Sequence, residues 1–417
     1  MPVPRKIAPL LAFAAFGFII IVLHLAVRQR SWRDIPQVVG LGEVVAGDSP
    51  AFEIQSPTSS LDDATQTGNR QTWKPRPSFL PGVPPGPGHN YTKVLVIAKV
   101  RDEKTDWIHE EIPDLQTAIY VADDPSAPLH PPKNKGNEVM IYLTYIIDHY
   151  EELPDIIMFM HSHRFSWHNN DILNNDAYEI ITRLSSERVV RDGYMNLRCH
   201  WSPGCPDWIH PGNVEEDRDK KEERELARVW SELFPLDTIP QILAQPCCGQ
   251  FALSRERVHA IPKIQFSFYR DWLMRTDLPD YLSGRVWEYI WQYIFTGKNA
   301  FCPDQHVCYC DGYGVCFENE QAFDHWFELR VKTNDLEREL EAWRSKAKLI
   351  EDAATGVLDE ANDLEVPEVG KDATLEYEIQ QNKRQLDEQR DDAINKGNDP
   401  QNRAAIAGRE WHDGDWY

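Results

Sequence analysis

Three features of the sequence predict an α/β fold built on a mostly parallel sheet. Lys93–Val100, Ala118–Ala122 and Asp155–Met160 are short apolar runs of strand length, the last preceded by the breaker Pro154. Between the second and third runs, Asn134-Lys-Gly-Asn-Glu138 introduces a helix from about Val139 to Tyr150, with Ile141, Tyr145 and Ile146 on one face. Apolar strands in the order strand, strand, helix, strand imply a sheet covered on both faces.

Taken in order, the 417-residue chain opens on a short basic tail, residues 1–6. Ile7–Val27 follows, an uncharged apolar run of 21 residues, about the length needed to cross a bilayer as a helix. Arg5 and Lys6 precede it and Arg28, Arg30 and Arg33 follow it, so flanking charge does not choose an orientation. The run is long for the apolar core of a cleaved signal peptide, and an uncleaved anchor is the preferred reading. All eight cysteines, Cys199, Cys205, Cys247, Cys248, Cys302, Cys308, Cys310 and Cys316, lie downstream, and one sequon, Asn90-Tyr-Thr, precedes the first strand. Clustered, even-numbered cysteines beyond an anchor predict disulfides in an oxidising lumen, hence a type II single-pass layout, and their spacings match no paired zinc framework.

Residues 28–92 lack periodicity and contain Ser56-Pro-Thr-Ser-Ser60 and Pro81-Gly-Val-Pro-Pro-Gly-Pro-Gly88, so they read as a stem. The folded domain is expected over residues 93–320. Beyond its first strand come Arg101, Asp102, Glu103, Asp106 and Trp107, and Asp123-Asp124 close the second. After the third strand a helix is expected near Asp176–Ser186, then a Cys-, Trp- and Pro-rich loop from Cys199 to Gly212 and a charged surface helix over Glu215–Leu233. Gln245–Leu253 reads as another strand, Ser254 as a cap on a helix starting at Arg255, and Tyr269–Met274 and Gly284–Phe295 as helices. Cys302–Cys316 reads as a compact loop. Across residues 321–353, Leu329, Leu336, Leu340, Trp343, Ala347 and Ile350 form a heptad seam, suited to packing back onto the domain or to self-association. Residues 354–417 are acidic and expected to be largely disordered, with a helix near Leu375–Ile394.

The net charge of −23 argues against a nucleic-acid protein, which would need a basic face. Chemistry concentrates where the third strand stops: His161, His163, Arg164, Trp167, His168, Asn169, Asn170 and Asp171 fall within one loop. Ligands of open α/β sheets bind at the carboxyl ends of strands. A second candidate is Glu288, flanked by Trp287 and Tyr289 in an apolar helix, where burial would raise its pKa toward that of a general base.

The N-K-G-N-E turn, the Y-L-T-Y-I-I-D-H-Y helix, F-M-H-S-H-R-F-S-W-H-N, C-C-G-Q-F-A-L-S-R-E-R-V and S-G-R-V-W-E-Y-I-W-Q-Y-I-F together resemble a fungal family catalogued as domain of unknown function 3431, over about Lys93–Phe317. The segment G-Q-F-A-L-S-R-E-R-V with a later Glu-bearing helix is also similar to lumenal GT-A glycosyltransferases. That similarity implies a nucleotide-diphospho-sugar transferase-like fold and a sugar transfer to a glycan acceptor. Gln250, Ser254 and Arg255 match the first motif and Glu288 matches the catalytic base. No D-x-D follows a strand, so the metal–diphosphate ligand typical of that fold is missing. On this reading Arg164, Arg255 and Arg285 neutralise the departing diphosphate, Trp167 stacks on a sugar, and His161, His163, His168 and Asn169 hydrogen-bond it.

The rival reading is a metal-dependent hydrolase in which His161, His163, His168 and Asp171 hold a divalent cation, with His200, His210, His259 or His306 as a further ligand. A non-catalytic carbohydrate-binding or scaffold protein is the third. No cofactor is fixed by any of them beyond a candidate divalent cation.

Overall fold

The computed structural model describes residues 79–215, 217–354 and 365–416. The expected anchor and most of the expected stem lie outside the described residues, within which no helix is long and apolar enough to cross a membrane.

The first half builds the sheet: β1 (Lys93–Lys99), α1 (Asp106–Glu111), β2 (Gln116–Val121), α2 (Val139–Asp148), β3 (Ile156–His161), α3 (Ala177–Arg183), α4 (Ser186–Asp192) and β4 (Tyr194–Asn196). Then follow α5 (Glu223–Leu233), β5 (Phe251–Ser254), α6 (Arg255–His259), α7 (Lys263–Arg275), α8 (Asp280–Glu288), α9 (Trp291–Thr296) and α10 (Gln305–Tyr313). The five strands are ordered β2-β1-β3-β5-β4. β1 pairs in parallel with β2 and β3, whereas β5 is antiparallel to both β3 and β4, so β5 alone runs against the rest.

Alternation along the strands divides the core in two. Val94, Val96, Ile157 and Phe159 face one layer, with α2, α7, α8 and α9 supplying Ile146, Phe266, Trp287 and Trp291. Leu95, Ile97, Met158 and Met160 face the other, packed by Ile180, Val189, Tyr309 and Trp326. Because α2 is sandwiched between the sheet and α7, Val139–Ile147 is buried without interruption, and the expected one-sided helix has no polar face.

Several expected boundaries shift. The helix near Asp176–Ser186 is two helices, each capped by its own side chain: Asp176 accepts from the Tyr178 amide and Ser185 from the Arg188 amide. The helix expected from Glu215 begins at Glu223, and Glu222 and Glu223 are buried rather than surface charges. The end of the stem is part of the domain: the Gly82 amide donates to the Arg191 carbonyl, and Phe79 lies under the Arg257 guanidinium. The cysteine loop contains α10.

The heptad segment forms α11 (Glu320–Ala354), the helix expected near Leu375–Ile394 is α12 (Lys371–Gly397), and α13 (Pro400–Ile406) follows where disorder was expected. Leu336 and Leu340 pack against Leu375 and Ile379, so part of the seam meets a partner within its own chain. Phe323 and Trp326 of α11 and Leu386 and Ala393 of α12 enter the second core layer. The acidic composition concealed this because the apolar positions are sparse, and only the pairing of two long helices buries them.

Four disulfides join all eight cysteines: Cys199–Cys308, Cys205–Cys302, Cys310–Cys316 and the adjacent pair Cys247–Cys248. The sequon Asn90 is exposed, two residues before the Thr92 hydroxyl that donates to Asp155.

Candidate functional site

A cleft of about 320 Å³ opens at the carboxyl ends of β1 and β3, walled by Ala98, Lys99, Glu103, Glu138, His161, His163, His168 and Asp280 among others. Its position is the one the strand–loop pattern predicts.

His161 is the last residue of β3. The main chain there is fixed by Gln250, whose side-chain oxygen accepts the His161 amide at 3.0 Å while its amide donates to Asn169 Oδ1 at 3.2 Å. Asn169 in turn donates to the Arg164 and Asn175 carbonyls, both at 3.0 Å, so it organises the loop instead of facing the cleft. Gln250→Leu is expected to destabilise the protein by about 1–3 kcal/mol for each buried group left unpaired. Denaturant unfolding measures the total, and hydrogen exchange should quicken across the 161–176 loop.

Burial first, then the neighbouring His168 and His163, push the His161 pKa down to about 3, so the ring is neutral and its Nε2 is a buried atom without a partner. His168 packs edge-on to His161, with ring centroids 5.1 Å apart, and its pKa is lowered by burial and by Arg198. His163 is at the rim, 3.7 Å from Glu103. Trp167 is 60% exposed, with Arg198 stacked on its indole at 5.3 Å and its carbonyl held by the same guanidinium.

Glu288 ends α8, and the helix expected to continue to Phe295 breaks at Tyr289–Ile290. Gln245 donates to the Glu288 carbonyl, satisfying the freed end. Burial raises the Glu288 pKa to about 7, opposed by Arg285 and reinforced by Glu222, and the carboxylate meets the Cys248 backbone. Across from it stands Glu138, unassigned by the sequence reading. Burial, then Glu288 and Asp280, raise its pKa to about 8.

Between them lies the turn Cys247-Cys248-Gly249, in which Cys248 has φ 89° and Gly249 φ 62°. A β-carbon on Gly249 would sit 2.8 Å from Glu138 Oε1 and 3.9 Å from Glu288 Cγ, so the glycine leaves room for the Glu138 carboxyl, with Glu288 in ordinary contact beside it. The Cys248 backbone also contacts His161. The adjacent disulfide therefore shapes the hub on which His161, Glu138 and Glu288 converge.

Other predicted site residues lie elsewhere. Ser254 pairs in register with Ile156 at the amino end of β3, and Arg255 binds Asp155 at 2.8 Å there, roughly 17 Å from His161 at the rise of a strand. Ser254 caps α6. Arg164 is held by Asp176 and Glu111 at 3.1 and 2.8 Å, and Arg285 by Glu222 at 2.6 Å. None of the three arginines expected to neutralise a diphosphate is among the residues walling the cleft.

Of the metal ligands expected for a hydrolase, His161, His163 and His168 line the cleft, but Asp171 and the further histidines are not among its walls. Asp171 accepts from Asn175 and Arg330. His200 accepts from Tyr309, His210 sits beside Asp207 and Glu223, His259 meets the Tyr150 carbonyl and His306 the Phe317 carbonyl. Among the described residues no group of three or more His, Cys, Asp or Glu is placed to hold a metal ion.

These features define an α/β protein with a carboxyl- and imidazole-lined cleft at the carboxyl edge of its sheet. The chain belongs to the family described as protein of unknown function DUF3431, whose profile matches residues 95–311. No curated protein and no solved structure matches it.

Proposed function

We propose that this is a glycosyltransferase of the secretory pathway, anchored as a type II membrane protein and facing the Golgi or endoplasmic reticulum lumen. It moves a sugar from a nucleotide sugar to a hydroxyl of a glycan or glycoprotein, with Glu288 as general base. The GT-A resemblance of the G-Q-F-A-L-S-R-E-R-V segment suggested this chemistry, and the structure redistributes its parts. Gln250 is a positioning residue, and Ser254 and Arg255 belong to the scaffold.

The observation that carries the reading is the placement of Glu288: half-buried at the Gly249 turn, next to Glu138, which walls the ligand-sized cleft, with its pKa drawn to about 7 by burial. A base of that pKa balances availability of the ionised form against affinity for the proton. Neutral His161 and His168 and the exposed Trp167 suit an uncharged polyhydroxyl ligand, through hydrogen bonds and stacking on a sugar face. The four disulfides fit an oxidising lumen.

The test uses the full chain made in a eukaryotic secretory host and purified in mild detergent. It is incubated with a panel of nucleotide sugars and hydroxyl acceptors, and released nucleoside diphosphate and glycoside are measured. Glu288→Gln is expected to lower turnover by about 10²–10⁴-fold with near-ultraviolet circular dichroism unchanged. No transfer from any donor, or a Glu288→Gln enzyme as fast as the wild type, would overturn the assignment.

A further inference from the structure

The cleft raises a problem of charge. A departing nucleoside diphosphate needs its growing negative charge neutralised. Yet Lys99 is the one Lys or Arg among the residues walling this cleft, against Glu103, Glu138 and Asp280, and Arg164, Arg255 and Arg285 are engaged elsewhere. A proton supplied from within the cleft is a source that the side chains present can provide.

Glu138 is placed to hold that proton and has no evident structural duty. It stands at the start of α2, where its carboxyl accepts its own backbone amide but caps no later amide of the helix, and it forms no ion pair among the described residues. It walls the cleft, and at the Gly249 turn it comes next to Glu288, atoms of both lying within 4 Å of the point a β-carbon there would occupy. We propose that Glu138 is a second catalytic carboxyl, the general acid that protonates the leaving oxygen while Glu288 deprotonates the acceptor. The inference rests on the transferase reading above and extends it.

The step balances without a co-reactant. The acceptor oxygen gives its proton to Glu288 and forms a bond to the anomeric carbon. The bond from that carbon to the leaving oxygen breaks, its electron pair stays on the oxygen, and the oxygen takes the proton of Glu138. The site ends with Glu288 protonated and Glu138 ionised, and transfer of one proton between the two restores it.

Electrostatics agree with this division of roles. Glu138 faces Glu288 and Asp280 of α8, with Tyr142 one turn along its own helix, and Lys99, His161 and His168 on the strand side of the cleft. Two carboxyls in one desolvated site cannot both ionise at low cost, and the more hindered one keeps the proton. With Glu138 at about 8 and Glu288 at about 7, the productive pair, one acid and one base, is most populated between those values. Activity should rise as pH climbs through the lower value and fall through the upper.

The experiment compares wild type, Glu138→Gln and Glu288→Gln on two donors of one sugar: the nucleotide sugar, and an aryl glycoside whose phenol is acidic enough to leave without a proton. Glu138→Gln should lose at least about 10²-fold on the nucleotide sugar and recover most of that on the aryl donor, whereas Glu288→Gln should be impaired on both. The pH profile of Glu138→Gln on the nucleotide sugar should lose its alkaline limb, a change that a merely structural role would not produce. A Glu138→Gln enzyme with wild-type rate, or with its alkaline limb intact, overturns the acid role while leaving Glu288 as base. Failure of the wild type to transfer sugar at all overturns both readings together.

Discussion

Asp311→Ala is expected to destabilise the protein by about 3–5 kcal/mol, the range for breaking a buried ion pair by removing one partner. Asp311 is 5% exposed on α10 and pairs with three arginines: it accepts from Arg191 at 2.5 Å and Arg409 at 3.1 Å, and Arg188 stands 3.6 Å away. Arg188 is itself 5% exposed, so the substitution leaves a guanidinium in the interior with Asp192 and the Val307 and Cys308 carbonyls to compensate. Burial by itself would raise the Asp311 pKa, but Arg188, Arg191 and Arg409 more than offset it and hold the carboxyl below the usual carboxylate range.

The pH dependence follows from that depressed value. Stability from this cluster is fully present above the unfolded-state pKa of about 3.9 and is lost as pH falls through the lower folded-state value. Wild type and Asp311→Ala should therefore differ most near neutrality and converge in strong acid, measured by urea unfolding at a series of pH values. Hydrogen exchange should also accelerate in α13 and its C-terminal flank, which Arg409 ties to α10. A neutral-pH difference under about 1 kcal/mol, set against the range for a buried pair, would show the cluster to be redundant.

Removing the Cys199–Cys308 bridge as a double alanine variant should cost about 3 kcal/mol in the chain-entropy account, because the Cys205–Cys302 bridge nested inside it stays closed and only the two short arms between them are released. Its cysteines are 109 residues apart and enclose that second bridge, whereas Cys310 and Cys316 are separated by 6. Removing the shorter bridge should cost about 2 kcal/mol by the same relation. Thermal unfolding of the two double variants decides it: equal losses would show that local packing, not loop closure, sets the cost. Cys199 and Cys308 are both buried in the second core layer, so the longer bridge also joins the loop beyond β4 to α10 where α11 packs over them.

Much of the scaffold was legible in the chain. The runs at Lys93, Ala118 and Asp155 became β1, β2 and β3 because uninterrupted apolar strands are stable only inside a sheet covered on both faces. Ser254 capped a helix as its position suggested, since a side-chain oxygen before Arg255 can accept a free first-turn amide. The reversal of β5 was not legible, because strand direction leaves no mark on a four-residue apolar segment. Nor was the break after Glu288, where local helical propensity runs on to Phe295 and the interruption depends on Gln245 reaching the Glu288 carbonyl.

The candidate site divides in the same way. His161, His163 and His168 were visible as a cluster because they are close in sequence, and the end of β3 delivers them to the cleft. Arg255 looked like a ligand because it matches the G-Q-F-A-L-S-R-E-R-V segment of the GT-A resemblance, but the antiparallel course of β5 carries it to the opposite end of the sheet. Glu138 was hidden for the converse reason. It ends an unremarkable Asn-Lys-Gly-Asn turn, and only the packing of α2 beside α8 and the Gly249 turn gives it a second carboxyl as a neighbour.

By itself the sequence determined the α/β class, the places where strands and most helices begin, and the loop in which histidines gather, because hydrophobic periodicity and capping act over a few residues. Only the tertiary structure decided which cysteines pair, that the helix of the acidic tail folds back, and that Glu138, His161, Cys248 and Glu288 share one turn. Those outcomes depend on strand order and direction, and on contacts between residues more than a hundred positions apart, which no local pattern encodes.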